Sequence, residues 1–193
     1  AYTFYKGKNS CNYGHGSIIS FHHTKPFGFG EGGAIIVDKK YEYTIRTLMN
    51  FGINNTKKYK YEQYWNLFGN NYKLSEISAL YILKYLEDNF SKILNHHINI
   101  YNYFKKLERN NKLTLYPNFA DENMTVPMCI TLLDKSYTNE YVNMLVERGI
   151  YCRKYYCPLI LTEISDYMYN HILCLPCNID IDLQNYLNIH NIL

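Results

Sequence analysis

The feature that most constrains the fold of this chain is a long stretch with the apolar periodicity of an α-helix. Between Ser75 and about Asn110, apolar residues recur every three or four positions, which places them on one face of an α-helix. Ser75 and Glu76 stand at its start, where a hydroxyl caps free N–H groups and a carboxylate suits the helix dipole. The pattern predicts one long helix or two abutting ones, and any domain boundary is expected inside this region.

The segment before the long helix reads as a pair of strands and a helix. Short apolar runs at 17–21 and 34–38, separated by glycines between 28 and 33, predict two strands joined by a glycine-containing connection. A helix is expected over about 40–50, ended by the Phe51–Gly52 step, which is a plausible C-cap. A polar, aromatic-rich loop is expected over residues 53 to 70.

Strands and helices alternate after the long helix. The pattern predicts a strand over 128–133, a helix over 139–148, a strand over 172–175 and a final helix from Asp182. No internal repeat and no low-complexity tract interrupts this order.

Charge and hydropathy exclude several classes of partner. The net charge is only +3, and lysine and arginine are spread along the chain without a run, so a nucleic-acid partner is not expected. No apolar stretch reaches the roughly 20 residues that cross a bilayer. The N-terminal residues also lack the apolar core of a signal peptide. A soluble, cytoplasmic protein is predicted.

The cysteines pose a choice between a metal site and ordinary core residues. Cys174 and Cys177 form a C-x-x-C pair, following Cys152 and Cys157, among six cysteines in total. Cys174 lies in an apolar run that reads as a buried strand, where a free cysteine behaves as a small hydrophobe. No second C-x-x-C pair or knuckle glycine accompanies it, so a packed strand is favoured over structural zinc.

Lys25 is the strongest candidate for chemistry. It follows the first predicted strand and precedes the glycine-rich turn, so its amine is expected at the mouth of a sheet, where it can meet a carbonyl. A partly desolvated amine loses some preference for its charged form and becomes a better nucleophile. Ser20, at the strand end, has a hydroxyl that suits a phosphate. On spacing alone, a solvated lysine beside a hairpin is the favoured explanation of the pattern.

The stretch from Ser20 to Ala34 resembles the Ser-Phe-x-x-x-Lys and Glu-Gly-Gly-Ala signature of the DegT/DnrJ/EryC1/StrS sugar aminotransferases. Further similarity follows in the family's order. Residues 69–77 resemble its Gly-x-Asn-x-Arg segment, 149–159 resemble the small-domain segment near the sugar, and 174–176 resemble its closing strand. The resemblance covers essentially the whole chain.

The resemblance implies a fold, a cofactor and an assembly. The fold is α/β, the PLP-dependent transferase fold type I (aspartate-aminotransferase-like), with residues 1–95 in the large cofactor domain and 96–193 in the small C-terminal domain. Lys25 is the implied Schiff-base lysine for pyridoxal 5'-phosphate, and Ser20 is implied to bind the phosphate. Asn71 is implied to reach the cofactor phosphate of the neighbouring subunit, so a homodimer with shared active sites is expected.

The implied reaction moves an amino group from an amino acid, by resemblance glutamate, to a keto sugar linked to a nucleotide. His22, Tyr155 and Tyr156 are the implied substrate-binding residues. A metal site at His22 and His23 is disfavoured, because adjacent residues on a strand point to opposite faces. No metal is therefore predicted.

Departures from the family pattern leave alternatives open. Lys73 stands where the family usually has arginine, which keeps the charge but loses the bidentate fork. The family's phosphate loop, its ring-stacking aromatic and the Asp that pairs with the pyridine nitrogen are expected upstream of Ala1. The sequence therefore reads as a truncated or split gene product or a fragment, inactive alone. The alternatives are a non-catalytic remnant or binding subunit, and a related sugar dehydratase, against which Lys25 argues because dehydratases carry histidine there.

Overall fold

The computed structural model describes residues 3–54, 64–65, 67–110, 113–116, 129–133, 136–182 and 186. Within these ranges the strands are β1 (Phe4–Tyr5), β2 (Lys8–Asn9), β3 (Gly16–Ser20), β4 (Gly33–Val37), β5 (Ile53–Asn54), β6 (Tyr64–Trp65), β7 (Cys129–Leu133) and β8 (Ile172–Pro176). The helices are α1 (Glu42–Met49), α2 (Glu76–Arg109), α3 (Asn139–Glu147) and α4 (Glu163–His171).

The two strands predicted around the lysine are confirmed as an antiparallel pair. β3 and β4 pair in a register that sets Ile18 opposite Ile35 and Ser20 opposite Gly33. Both strands begin and end one residue earlier than the sequence pattern indicates. The Lys25 stretch therefore forms the connection of a hairpin.

The predicted helix over about 40–50 is confirmed as α1, which begins at Glu42 because a short 3₁₀ turn occupies Lys39–Tyr41. It ends at the predicted step: Gly52 has φ +74° and its N–H donates to the carbonyl of Thr47 at 2.9 Å. The stretch expected to be loop holds the short strands β5 and β6, which pair with each other. Residues 55–63 and 66 lie outside the described residues.

The long stretch with helical periodicity forms one continuous helix, α2. The hydroxyl oxygen of Ser75 accepts the N–H of Ser78 at 3.1 Å, which is the cap that the sequence predicts. Buried side chains are sparse in its first half and frequent after Ile93. The first half of α2 therefore buries few side chains and the second half packs into a core. The domain boundary at residue 95 stays a prediction.

The main hydrophobic core lies between the second half of α2 and the sheet that follows it. β7 and β8 are antiparallel, Leu115 bridges to Leu132 on the outer side of β7, and Arg153 bridges to Cys174 on the outer side of β8. The fully buried members of this core include Ile100, Phe104, Ile130, Leu132, Tyr137, Leu145, Leu173 and Leu175. Each Å² of apolar area removed from water stabilises the fold by about 25 cal/mol, so this cluster is the main stabilising element of the carboxyl-terminal part.

The predicted helix over 139–148 and the predicted strands over 128–133 and 172–175 are confirmed within the described residues, which exclude Met128. The final helix expected from Asp182 lies almost wholly outside the described residues. Helix α4 was not anticipated. Its sequence signal is a capping box in which Thr162 and Ser165 exchange hydrogen bonds.

The C-x-x-C pair lies in the core. Cys174 and Cys177 are both buried, as the packed-strand interpretation predicts. The Sγ of Cys174 lies 3.7 Å from the hydroxyl of Thr131 on β7. Within the described part of the chain, no helix is long and apolar enough to cross a membrane.

Burial predicts a large difference in thiol reactivity. Desolvation raises the pKa of Cys177 from 9.0 to about 12, whereas Cys157 is exposed. Only the thiolate is alkylated, so at pH 8 we expect iodoacetamide to label Cys177 at least about a thousandfold more slowly than Cys157. Peptide mass spectrometry over time measures both rates, and equal rates in the folded protein contradict the packing. Because the folded-state pKa is the higher one, the neutral thiol's contribution to stability is complete below pH 9 and is lost as the pH rises towards 12.

Candidate active site

Lys25 lies at the junction of two tight turns that follow β3. Its N–H donates to the carbonyl of His22 at 2.8 Å, and its carbonyl accepts the N–H of Gly28 at 2.8 Å. Both backbone groups of Lys25 are thus held, and its side chain is half-buried. A lysine whose backbone is restrained on both sides presents its amine in a narrow range of directions.

Two longer-range hydrogen bonds close the loop that carries these turns. The N–H of Phe21 donates to the carbonyl of Gly32 at 2.9 Å, and the N–H of His23 donates to the carbonyl of Gly30 at 2.8 Å. Gly28 is required by close packing, because a Cβ there would lie 2.1 Å from the carbonyl oxygen of His22. The glycines therefore allow the chain to fold back on the lysine.

Two aromatic stacks fix this loop to α2. Phe27 is buried and stacks on Phe90 with ring centroids 5.0 Å apart, and Phe29 stacks on Tyr85 at 4.9 Å. Offset aromatic pairs of this kind stabilise by about 0.5–1.5 kcal/mol beyond the area they bury. The loop is consequently positioned by the long helix, which also packs against the carboxyl-terminal sheet.

A cavity of about 420 Å³ lies between the Lys25 loop, α2 and the end of β8. The loop contributes residues from His23 to Gly28, Lys25 among them, and α2 contributes Tyr85 and His97. The remaining wall consists of Tyr151, Arg153, Tyr155, Cys174 and the segment from Pro176 to Asp180. The size matches pockets that take small ligands, and the wall carries an amine, a guanidinium, phenol hydroxyls and a carboxylate.

The segment that contains Arg153 and Tyr155 is oriented by the residue between them. The Nζ of Lys154 donates to the carbonyl of Tyr137 at 2.6 Å and lies over the ring of Tyr169, within the carboxyl-terminal part. In extended chain, neighbouring side chains point to opposite sides. Lys154 pointing inward therefore turns Arg153 and Tyr155 towards the cavity.

Lys154 is also the main competitor of Lys25 for amine chemistry. Burial lowers the pKa of Lys154, which favours the nucleophilic neutral form. Its amine, however, donates to the carbonyls of Tyr137 and Asn170, and it is not among the residues that line the cavity. Of these two lysines, only Lys25 meets the cavity.

Ser20 and His22 brace the turn rather than line the cavity. The hydroxyl oxygen of Ser20 accepts the N–H of His22 at 3.3 Å. The Nδ1 of His22 accepts the N–H of Thr24 at 3.3 Å, and its Nε2 lies 3.5 Å from a carboxylate oxygen of Glu31. The phosphate role of Ser20 and the substrate role of His22 stay predictions.

The histidine rings correct one sequence expectation. The rings of His22 and His23 do not diverge, since their centroids lie 4.1 Å apart. The reason is that β3 ends at Ser20, so both histidines lie beyond the strand, where its alternation does not apply. Ligand atoms of His22, His23 and Glu31 come within 4.8 Å of one another, and this is the one such group in the described ranges. The absence of a metal stays a prediction.

Asn71 lies away from this cavity, on a segment attached to the end of α1. It bridges to Asn50, and the N–H of Phe51 donates to the carbonyl of Asn70 at 3.1 Å. The Nζ of Lys73 donates to the side-chain oxygen of Asn50 at 2.6 Å. Asn71 is exposed and does not line the Lys25 cavity, so its predicted role requires a second subunit and stays a prediction.

The structure thus brings Lys25 and Tyr155 to one cavity, but not Ser20, His22, Asn71 or Tyr156. It adds residues that sequence reasoning did not select, among them His23, Tyr85, His97, Tyr151 and the segment 178–180. No local motif marks them, because they are distant in sequence and meet only through the packing of the loop and β8 on α2.

Comparisons with known proteins agree with this geometry. Residues 1–180 match the family model described as the DegT/DnrJ/EryC1/StrS aminotransferase family. The chain is 27% identical to the dTDP-4-amino-4,6-dideoxy-D-glucose transaminase of Shigella dysenteriae, over 89% of this chain and 50% of that protein. The family resemblance expected from the sequence is confirmed.

Solved structures of similar proteins superpose on nearly the whole chain. Helicobacter pylori PseC, an aminotransferase involved in the biosynthesis of pseudoaminic acid, is 20% identical with a TM-score of 0.77, over 98% of this chain and 55% of that one. The PLP form of the Streptococcus pneumoniae sugar aminotransferase Spr1654, itself a tentative assignment, is 17% identical with a TM-score of 0.80, over 98% and 53%. The predicted fold type I architecture is confirmed, and the chain spans about half the length of the relatives it matches.

Proposed function

Because this chain belongs to the DegT/DnrJ/EryC1/StrS aminotransferase family, we propose that it supplies the cofactor-binding lysine of a PLP-dependent sugar aminotransferase, and that this lysine is Lys25. The observation that carries the proposal is the position of Lys25: both its backbone groups are held in turns, and its side chain meets a cavity shared with Arg153 and Tyr155.

The donor set suits pyridoxal phosphate. The cofactor needs a primary amine for its aldehyde, and Lys25 offers one at the rim of a cavity of about 420 Å³. Arg153 adds a permanent cation to the wall of the same cavity, which suits a phosphorylated or carboxylated ligand. We assign cofactor phosphate contacts to Ser20 and, from a second subunit, to Asn71.

The residues of this chain would then share the reaction as follows. When bound, the cofactor supplies an electron-withdrawing ring that stabilises negative charge on the substrate carbon. The Nζ of Lys25, in its neutral form, accepts the proton that leaves that carbon and returns it in the second half of the reaction. Arg153 holds an anionic group of the substrate, and the hydroxyl of Tyr155 orients a sugar hydroxyl.

The proposed substrates are an amino-acid donor, glutamate by family resemblance, and a keto sugar linked to a nucleotide. The similar Shigella protein is named for a nucleotide-linked amino sugar, which supports this class. His22 and Tyr156 are assigned to the substrate on family position alone. Since the relatives are about twice as long, we assign the activity to the assembled protein and not to these 193 residues alone.

Reductive trapping tests the proposal. The assembled protein is incubated with pyridoxal phosphate and reduced with borohydride, and the peptides are analysed by mass spectrometry. We expect the pyridoxyl mass on Lys25 and none after Lys25→Ala. Lys154→Arg is the matched control, because the arginine can still donate hydrogen bonds to the carbonyls of Tyr137 and Asn170. We expect labelling of Lys25 to persist in this variant. Labelling on Lys154, or labelling that survives Lys25→Ala, contradicts the assignment.

A further inference from the structure

The loop that carries Lys25 brings two imidazoles and a carboxylate together. His22 and His23 follow the end of β3 and Glu31 precedes β4, so the three side chains come from both arms of the loop. One nitrogen or oxygen atom from each of the three lies within 4.8 Å of the other two. Two neutral imidazoles and one carboxylate are a ligand set that suits zinc and related divalent transition metals.

Backbone hydrogen bonds hold the two arms of this loop together. The N–H groups of Phe21 and His23 donate to the carbonyls of Gly32 and Gly30, at 2.9 and 2.8 Å. Glu31 lies between these two hydrogen bonds, opposite the histidines. The backbone positions of the three side chains are therefore fixed before any ion binds, which lowers the cost of assembling a metal site.

The distance between the first two ligand atoms fits a tetrahedral ion. The Nε2 of His22 lies 3.5 Å from Oε1 of Glu31, which is longer than the roughly 2.7–3.2 Å of an N–H···O hydrogen bond. Two ligand atoms that each lie about 2.0–2.1 Å from a tetrahedral zinc ion are about 3.3–3.4 Å apart. The ring of His23 is centred 4.1 Å from that of His22 and its side chain is exposed, so a rotation can bring its nitrogen to the same ion.

Thr24 supplies the outer hydrogen bond that histidine ligands of metals commonly have. Its Oγ1 lies 2.9 Å from the Nδ1 of His22. When the ring proton is on Nδ1, that N–H donates to the hydroxyl, and the lone pair of Nε2 faces Glu31. An ion at Nε2 selects this tautomer over the one in which Nδ1 accepts the backbone N–H of Thr24.

We infer that His22, His23 and Glu31 bind one divalent transition metal ion, zinc being the best match, and that the ion joins the two arms of the loop around Lys25. The sequence argued against a metal because neighbouring residues of a strand diverge, and that reason does not apply to rings that converge beyond the strand. Three protein ligands leave the fourth position of the ion to water or an exchangeable ligand. The inference does not rest on the proposed function.

Calorimetry and cobalt spectroscopy test the inference. The assembled protein is stripped of metal with EDTA, dialysed and titrated with zinc chloride. We expect one equivalent to bind with a dissociation constant on the order of 1 µM, because three partly exposed ligands hold zinc less tightly than the four of a structural site. Magnesium chloride should give no binding heat, since magnesium prefers oxygen ligands. Cobalt chloride should give visible d–d absorption without a thiolate charge-transfer band, which excludes the exposed Cys157 as a ligand.

Single substitutions identify the ligands. His23→Ala and Glu31→Gln each remove one ligand from an exposed side chain and are expected to weaken zinc binding at least about a hundredfold. Thr24→Val keeps the shape but loses the hydroxyl, so a loss of about tenfold is expected. His15→Ala removes an exposed histidine outside the group and is the matched control, with unchanged affinity. Far-UV circular dichroism checks that each variant is folded.

Several results overturn the inference. One is the absence of zinc binding to the unaltered protein, and another is zinc binding that His23→Ala and Glu31→Gln leave unchanged. A cobalt–thiolate band overturns it as well. Lys25→Ala is expected to retain the zinc affinity of the unaltered protein, because Lys25 is not a member of the ligand group. Loss of zinc binding in that variant shows a different ligand set and also contradicts the inference.

Discussion

Replacing Lys25 with alanine is expected to lower the turnover of the assembled protein by at least about a thousandfold, because the proposed function assigns to this amine the proton transfer at the substrate carbon. Removal of the side chain leaves the cavity beside it open. A small primary amine such as ethylamine should therefore enter and restore part of the rate. Single-turnover kinetics with the amino-acid donor, with and without added amine, measure both effects.

The amine rescue separates a chemical role of Lys25 from a structural one. Lys92→Ala removes an exposed lysine of α2 and is the matched control, with a turnover number close to that of the unaltered protein. A Lys25→Ala variant with a near-normal turnover number, or one whose defect is confined to KM and is insensitive to added amine, contradicts the assignment of Lys25 as the catalytic base.

Gly52→Ala should lower the free energy of unfolding by about 3–5 kcal/mol, a larger loss than that expected for Gly14→Ala. Gly52 is buried at φ +74°, and a Cβ there would lie 1.7 Å from the carbonyl oxygen of Leu67. Backbone cannot move aside as a flexible side chain can. The substitution must therefore push the segment that carries Asn71 away from the end of α1. Urea unfolding followed by far-UV circular dichroism measures the change.

Gly14→Ala is a close control for this effect. Gly14 has φ +76°, nearly the same backbone angle, but a Cβ there meets nothing within 4 Å. Its cost is therefore the left-handed conformation alone, about 1–2 kcal/mol. Equal losses of unfolding free energy in the two variants would show that the backbone at Leu67 can move away from a Cβ at position 52. That result would contradict the close packing of this segment on α1.

Local pattern predicted most of the elements of this fold. The spacing of apolar residues defined the helix from Glu76 to Arg109, and Ser75 marked its first turn. Gly52 marked the end of α1, where only a residue tolerant of positive φ fits without strain. Helix α4 was not predicted from the sequence. None of its residues is buried, so its apolar residues do not mark a face that packs on a core.

The candidate site was predictable only in part. Lys25 was identified because strand, lysine and glycines stand together in sequence and resemble a family signature. His23 was passed over because strand alternation was extended past Ser20, where the chain already turns. Arg153 and Tyr155 carry little local signal in a chain with 22 tyrosines, and only the inward hydrogen bonds of Lys154 show why they turn towards the cavity.

The sequence by itself determined most of the elements and the family, and it singled out Lys25 as the candidate lysine, because periodicity, capping and glycine-dependent turns depend on residues close together in the chain. Tertiary structure decided which of the predicted residues share a cavity with Lys25. It also decided which lysine meets that cavity. These depend on the docking of the loop and β8 on α2 through Phe27, Phe29 and the core around Ile100, contacts between residues far apart in sequence that no local pattern encodes.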